Sequence, residues 1–160
     1  GGAQIALVNA TGVRIGMPAG DIRYAQAFQM MPFGNNLVVM TLTGEQLKNV
    51  IEQQYKDVDL AKSSRVAVLA PSAGFTYAYD LSRPAMDRVR EMKLDGKPIA
   101  LDSRYRVVVN NYLASGGDGL AGFTAGTDVT DKGIIDLDAY LDWIAPGRAP
   151  PVANRTRPIR

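Results

Sequence analysis

Residues 36–42 put apolar side chains on both sides of one extended segment. Leu37, Val39 and Thr41 alternate with Val38, Met40 and Leu42. Successive side chains of a strand point to opposite faces, so neither face of this strand suits water. A strand of that kind lies inside a sheet that is covered above and below. A helix start follows at once: in Thr43-Gly44-Glu45-Gln46 the threonine is placed to cap the first turn and Gln46 to reach back to it. Leu47, Val50, Ile51 and then Gln54 or Tyr55 continue the stripe at helical spacing. A doubly covered strand running straight into an amphipathic helix points to an α+β fold, a mixed β-sheet with helices packed on it.

The remaining segments fit that class. Ile5 to Val8 and Tyr105 to Asn110 are apolar runs of strand length, and Val66 to Ala70, Phe75 to Tyr79 and Val89 to Leu94 are further strand candidates. Asp95-Gly96 is a hairpin turn signal, with a second arm kept short by Pro98. A short helix is predicted from Asp21, with Tyr24, Ala27, Phe28 and Met31 as its stripe and Pro32 as its stop. Ile135 to Ile144 forms a second clear helix, with Leu137, Tyr140, Leu141 and Ile144 on one face. Residues 9–20, 57–64 and 120–133 read as loop or irregular, and a polar tail carries Arg155, Arg157 and Arg160. No repeat or internal linker divides the chain, so residues 1–160 are expected to form a single domain.

Two missing residue types narrow the chemistry. The chain has no Cys, which removes thiol nucleophiles, disulfides and thiolate metal sites. It has no His, which removes the commonest general base near neutral pH and every serine triad. Carboxylates could hold Mg²⁺ or Ca²⁺, but no acidic loop of EF-hand spacing occurs. A complete hydrolytic site within these residues is therefore not expected. The net charge of +2 is too small to imply nucleic acid or a membrane surface, and no 18-residue apolar run is present. The opening Gly1-Gly2-Ala3-Gln4 suggests a piece of a longer polypeptide.

Three loops carry the candidate binding residues. In Asn111-Tyr112-Leu113-Ala114-Ser115-Gly116-Gly117-Asp118-Gly119 an aromatic ring precedes a lone carboxylate collared by glycines. That combination suits a ligand with a flat ring and vicinal hydroxyls, and equally suits a tight surface turn. Asn9-Ala10-Thr11-Gly12-Val13-Arg14 follows a strand, where ligand contacts gather in sheets flanked by helices. Arg14 could grip a phosphate or carboxylate and Asn9 a base edge, or both could serve only their own turn. Phe33 lies in a Pro-Phe-Gly turn followed by Asn35. Stacking a base on one ring is worth about 1–3 kcal/mol, so two rings would supply a large share of the ~8 kcal/mol of a micromolar complex. Gly117-x-Gly119-x-x-Gly122 formally matches a dinucleotide fingerprint, with Asp136 near the expected distance. Its glycines fall several residues past the strand and open no helix, so that match is set aside.

Taken in order, N-A-T-G-V-R (9–14), A-G-D-I-R-Y (19–24), M-P-F-G-N (31–35), L-T-G-E-Q-L (42–47), D-G-K-P-I (95–99), Y-R-V (105–107) and N-Y-L-A-S-G-G-D-G (111–119) resemble the C-terminal domain of the 5′-nucleotidase / UDP-sugar hydrolase family. The resemblance runs from Ile5 to about Ile144. It implies the substrate-binding half of a two-domain metal-dependent hydrolase. The N-terminal metallophosphoesterase domain, absent from these residues, would carry two divalent metal ions and cleave the phosphate ester.

On that resemblance Phe33 and Tyr112 would sandwich the base, with Asn9 and, more weakly, Asn35 at its edge. Arg14 would contact ribose or phosphate, and Asp118 would accept from the ribose hydroxyls. The implied ligand is a nucleotide or nucleoside, the implied partner the N-terminal domain of the same polypeptide, and the implied location periplasmic or extracellular. No cofactor or metal is expected in this chain, and the chain alone is expected to be inactive. Related outcomes are a free-standing nucleoside-binding module, a UDP-sugar hydrolase, a 2′,3′-cyclic phosphodiesterase/3′-nucleotidase or a thiosulfohydrolase; paired rings argue against the last. Two positions depart from the family pattern. Ala10 and Thr11 replace glycines of an N-G-G-G-I-R loop, and Tyr112 stands where Phe is common.

Overall fold

The strand with two apolar faces, β2, lies inside the larger of two sheets. A computed structural model describes residues 2–58, 68–148 and 155–159. In chain order the first half comprises β1 (Ile5–Asn9), α1 (Tyr24–Met30), β2 (Asn36–Thr43), α2 (Gly44–Gln53), β3 (Leu69–Pro71) and β4 (Phe75–Tyr79). Then come β5 (Val89–Leu94), β6 (Lys97–Pro98), β7 (Arg104–Asn110), α3 (Asn111–Ala114), β8 (Thr127–Ile135), α4 (Asp136–Ile144) and β9 (Thr156–Pro158). One sheet has the order β3-β1-β7-β2-β8 and the other β6-β5-β4-β9. Parallel pairs (β1 with β7, β4 with β9) and antiparallel pairs occur in both, so each sheet is mixed.

Register determines where the loops go. β1 and β7 run parallel, with Ile5 opposite Val107, so their C-terminal ends reach the same edge. β2 runs antiparallel to β7, with Leu37 opposite Asn110, so the turn that leads into β2 arrives there too. Three chain segments distant in sequence thus meet at one end of the sheet.

Val38, Met40 and Leu42 face a core shared with α2 and the smaller sheet, where Leu47, Val50, Ile51, Phe75, Tyr77 and Val89 are buried. Val39, which points the other way, is buried outside that cluster, as are Ala27 and Met30 of α1 and Leu137 of α4. Each fully buried Leu, Val or Ile of α2 contributes about 1.5–3 kcal/mol relative to exposure. The cap of α2 forms as its sequence predicts: Thr43 Oγ1 accepts from the Gln46 N–H at 3.1 Å, and Gln46 Oε1 accepts from the Thr43 N–H at 2.8 Å. Gly44 is required by a close approach, since a Cβ there would lie 2.2 Å from the Ala100 carbonyl oxygen. Buried Glu52 ties the far end of α2 to the smaller sheet by accepting from the Val89 and Arg88 N–H groups at 2.7 and 2.9 Å.

Several expectations need correction. The first helix begins at Tyr24 rather than Asp21, and it buries Ala27 and Met30 while Tyr24 and Phe28 stay exposed and stack on each other. Residues 120–133 are not irregular: after a 3₁₀ turn at Ala121–Ala125 they form most of β8. The glycine-rich stretch after β7 opens with the four-residue helix α3, and the polar tail contributes β9 beside β4. The strand candidate at 66–70 is observed from Leu69; its residues 66 and 67 lie outside the described residues, as do 59–64 of the predicted polar loop and Arg160.

Candidate functional site

At the sheet edge where β1, β2 and β7 converge, a cleft of about 410 Å³ is lined by Asn9, Thr11, Gly12, Arg14, Phe33, Asn35, Tyr112 and Asp118. All six residues singled out from the sequence are among these eight. The volume lies in the range of small-molecule sites, roughly 300–1,000 Å³.

The carboxylate of Asp118 is the hub of one wall. Its backbone sits in the left-handed region at φ 55°, just past Gly116 at φ 89°. This conformation, which Asp tolerates better than most residues, turns the side chain back toward β1. Oδ2 accepts from Asn9 Nδ2 at 2.9 Å and from Thr11 Oγ1 at 2.7 Å. Oδ1 accepts from the Tyr112 hydroxyl at 3.0 Å, and that hydroxyl accepts from the Asp118 N–H at 3.1 Å. Burial raises the Asp118 pKa, but the bonds from Thr11, Asn9 and Tyr112 outweigh it and hold the carboxyl below its ordinary value.

Behind the hub lies a residue that the sequence reading missed. Asn110 ends β7 and caps α3: its Oδ1 accepts from the Leu113 N–H at 2.8 Å while its Nδ2 donates to Asn9 Oδ1 at 3.1 Å. The available signal was an Asn placed between an apolar strand and a helical turn, the usual position of an N-cap. Asn9 is thereby used on both sides of its amide, since Nδ2 also donates to Thr11 Oγ1 at 2.7 Å. Buried and engaged in this way, Asn9 orients Asp118: its Nδ2 is spent on Thr11 and Asp118, and its Oδ1 keeps one acceptor position beyond the bond from Asn110.

The other elements of the cleft are looser. Phe33 is 58% exposed and Tyr112 46% exposed, unusual for rings of that size unless something covers them. The Tyr112 ring rests on the backbone of Gly117, where a Cβ would come within 2.5 Å of the ring carbons. Arg14 is anchored through its main chain to the Met30 carbonyl at 2.9 Å, and its Nη1 donates to the Thr11 carbonyl at 3.2 Å. The rest of its guanidinium is open to solvent. Asn35 Nδ2 donates to Asp136 Oδ2 at 3.5 Å, while the Asp136 N–H donates to the Asn35 carbonyl at 2.8 Å.

The groups gathered here are ones that bind a ligand. One carboxylate, one guanidinium, two exposed rings and an amide offer no nucleophile beside a base. Among the described residues no group of three or more acidic side chains is placed to hold a metal ion, and with no His or Cys the donor set does not fit a catalytic metal pair. Among the described residues no helix is long and apolar enough to cross a membrane.

Comparison with known proteins fits this geometry. The family model described as "5′-nucleotidase, C-terminal domain" matches residues 1–125. The trifunctional nucleotide phosphoesterase protein YfkN of Bacillus subtilis is 36% identical over 148 residues, which cover 89% of this chain and 10% of that protein. Protein UshA of Escherichia coli is 28% identical over 150 residues, 91% of this chain and 25% of its own length. The solved structure of a 5′-nucleotidase precursor from Thermus thermophilus matches with a TM-score of 0.87 at 33% identity, covering 99% of this chain and 32% of that one. This chain therefore spans between a tenth and about a quarter of the two curated relatives.

Proposed function

Because this chain belongs to the 5′-nucleotidase C-terminal domain family, we propose that its cleft is the nucleoside-recognition site of a metal-dependent enzyme that hydrolyses nucleotide phosphate esters. The observation that carries this reading is the convergence of two exposed rings, one carboxylate and one guanidinium on a single cleft of nucleoside size. Phe33 and Tyr112 offer flat faces to a base, Asp118 accepts from the sugar, and Arg14 presents its free N–H groups to ribose or phosphate. Asn9 holds Asp118, and Asn35 stands at the edge of the base site.

The chemistry belongs to a second domain of the parent polypeptide. That domain would carry the two divalent metal ions, for which no ligand set is found among the described residues of this chain. The fraction of its relatives that the chain spans supports such a division. The reading also places the parent protein outside the cytoplasm, in the periplasm or medium.

Titrating the chain with adenosine, uridine and guanosine while following the NMR signals of Phe33, Tyr112 and Asp118 tests the site. Saturable shifts confined to those loops are expected, and their absence for all three nucleosides would refute the reading. The chain alone is expected to release no phosphate from AMP with Mn²⁺, Zn²⁺ or Mg²⁺ present. Metal-dependent release would show that the chemistry lies here after all.

A further inference from the structure

The carboxylate of Asp118 accepts from three side chains of the protein itself. A carboxylate offers roughly four acceptor positions, two on each oxygen. Oδ2 has both filled, by Asn9 Nδ2 at 2.9 Å and Thr11 Oγ1 at 2.7 Å. Oδ1 has one filled, by the Tyr112 hydroxyl at 3.0 Å. A single position is left. Each hydroxyl also accepts a bond. Thr11 Oγ1 accepts from Asn9 Nδ2 at 2.7 Å, and the Tyr112 oxygen accepts from the Asp118 N–H at 3.1 Å.

Two hydroxyls, one on each oxygen of a carboxylate, reproduce what the vicinal diol of a ribose presents to the same acid. We propose that Thr11 and Tyr112 are built-in surrogates for a sugar diol, so that Asp118 reads one sugar hydroxyl instead of two and the cleft takes 2′-deoxynucleosides nearly as well as ribonucleosides. This rests on the nucleoside reading of the cleft and names the substrate class within it. A hydroxyl shared by both sugars, the 3′-OH, takes the open position on Oδ1. For the 2′-OH to reach the carboxylate it must displace Thr11 or Tyr112. One hydroxyl-to-carboxylate bond then replaces another, so the net gain is small. Removing the protein hydroxyls opens those positions, and the second sugar hydroxyl gains a bond to a charged acceptor that it previously only exchanged.

The test compares dissociation constants for adenosine and 2′-deoxyadenosine, and for uridine and 2′-deoxyuridine, by calorimetry on the full chain. The wild-type chain is expected to prefer the ribonucleoside by less than about threefold. Thr11→Ala and Tyr112→Phe, each of which leaves the rings in place, widen the preference, and the double variant raises it to about tenfold or more. Thr11→Ser keeps a hydroxyl and is expected to retain the wild-type ratio, which separates loss of the hydroxyl from disturbance of the loop. Binding of both nucleosides with a tenfold ribose preference in the wild type, or a ratio unmoved in the double variant, overturns the proposal and leaves the nucleoside reading standing. If neither nucleoside pair binds the wild-type chain, the reading of the cleft and this proposal both fail.

Discussion

On one side of the cleft Asn9, Thr11, Asn110, Tyr112 and Asp118 are joined by hydrogen bonds of 2.7–3.1 Å, and two of the five residues, Asn9 and Asn110, are buried. On the other, Phe33 stands 58% exposed, and the Asn35 amide reaches Asp136 only at 3.5 Å. The first wall is organised by the parallel pairing of β1 and β7; the second is a turn at the entry to β2. A pre-ordered wall costs little to engage and therefore sets selectivity. A loose ring costs about 0.5–1.5 kcal/mol to immobilise, so it contributes affinity less that ordering cost.

Breaking the ordered wall should have the largest effect. Asn110→Ala strands a buried Asn9 oxygen and the Leu113 N–H, and a stability loss of about 2–4 kcal/mol is expected in urea unfolding. A loss under about 1 kcal/mol would mean that the wall does not depend on that amide. Asp118→Asn is expected to weaken adenosine binding by about 1.5–3 kcal/mol, since a bond to a charged acceptor is lost. Phe33→Ala, on the loose wall, should cost about 1–2 kcal/mol of binding while leaving stability within about 0.5 kcal/mol. A substantial fall in stability would show the ring to be core after all.

The smallest effect concerns pH. The folded-state pKa of Asp118 is lowered, so its network contributes fully above the ordinary aspartate value of about 3.9 and loses that contribution as the pH falls through the lower folded value. Carbon NMR of the Asp118 carboxyl is expected to give a midpoint below 3.9, and adenosine affinity should be flat between about pH 7 and 5. A midpoint at or above the ordinary value would show that burial outweighs the three donors.

Local signals foretold much of the fold. The capping box of α2, the double-faced β2 and the Asp95-Gly96 turn each depend on neighbours within a few residues, and each forms as read. β8 escaped because its alternation is interrupted. Register shifts against β2 fall between Asn36 and Val38 and between Val39 and Thr41, and Gly133 and Asp128 take positive φ. The exposed pair Tyr24 and Phe28 misled the reading of α1, since helical spacing reports a shared face without saying which face is covered. At the site, the six residues named from motif order line one cleft, yet the use of the Asn9 amide depends on Asn110, 101 residues away. The Thr11 hydroxyl likewise finds its acceptor 107 residues on, which no local pattern can show.

The long outer strand β8 also bears on how the molecule behaves in concentrated solution. All nine of its residues are exposed and it borders the larger sheet, so it is one edge at which a second copy could add a strand and begin to polymerise. Asp128, Asp131 and Lys132 line this rim, and the two breaks in its pairing bend it away from the flat shape that such stacking needs. The same irregularities that hid the strand from its own sequence are of the kind that discourages edge-to-edge pairing.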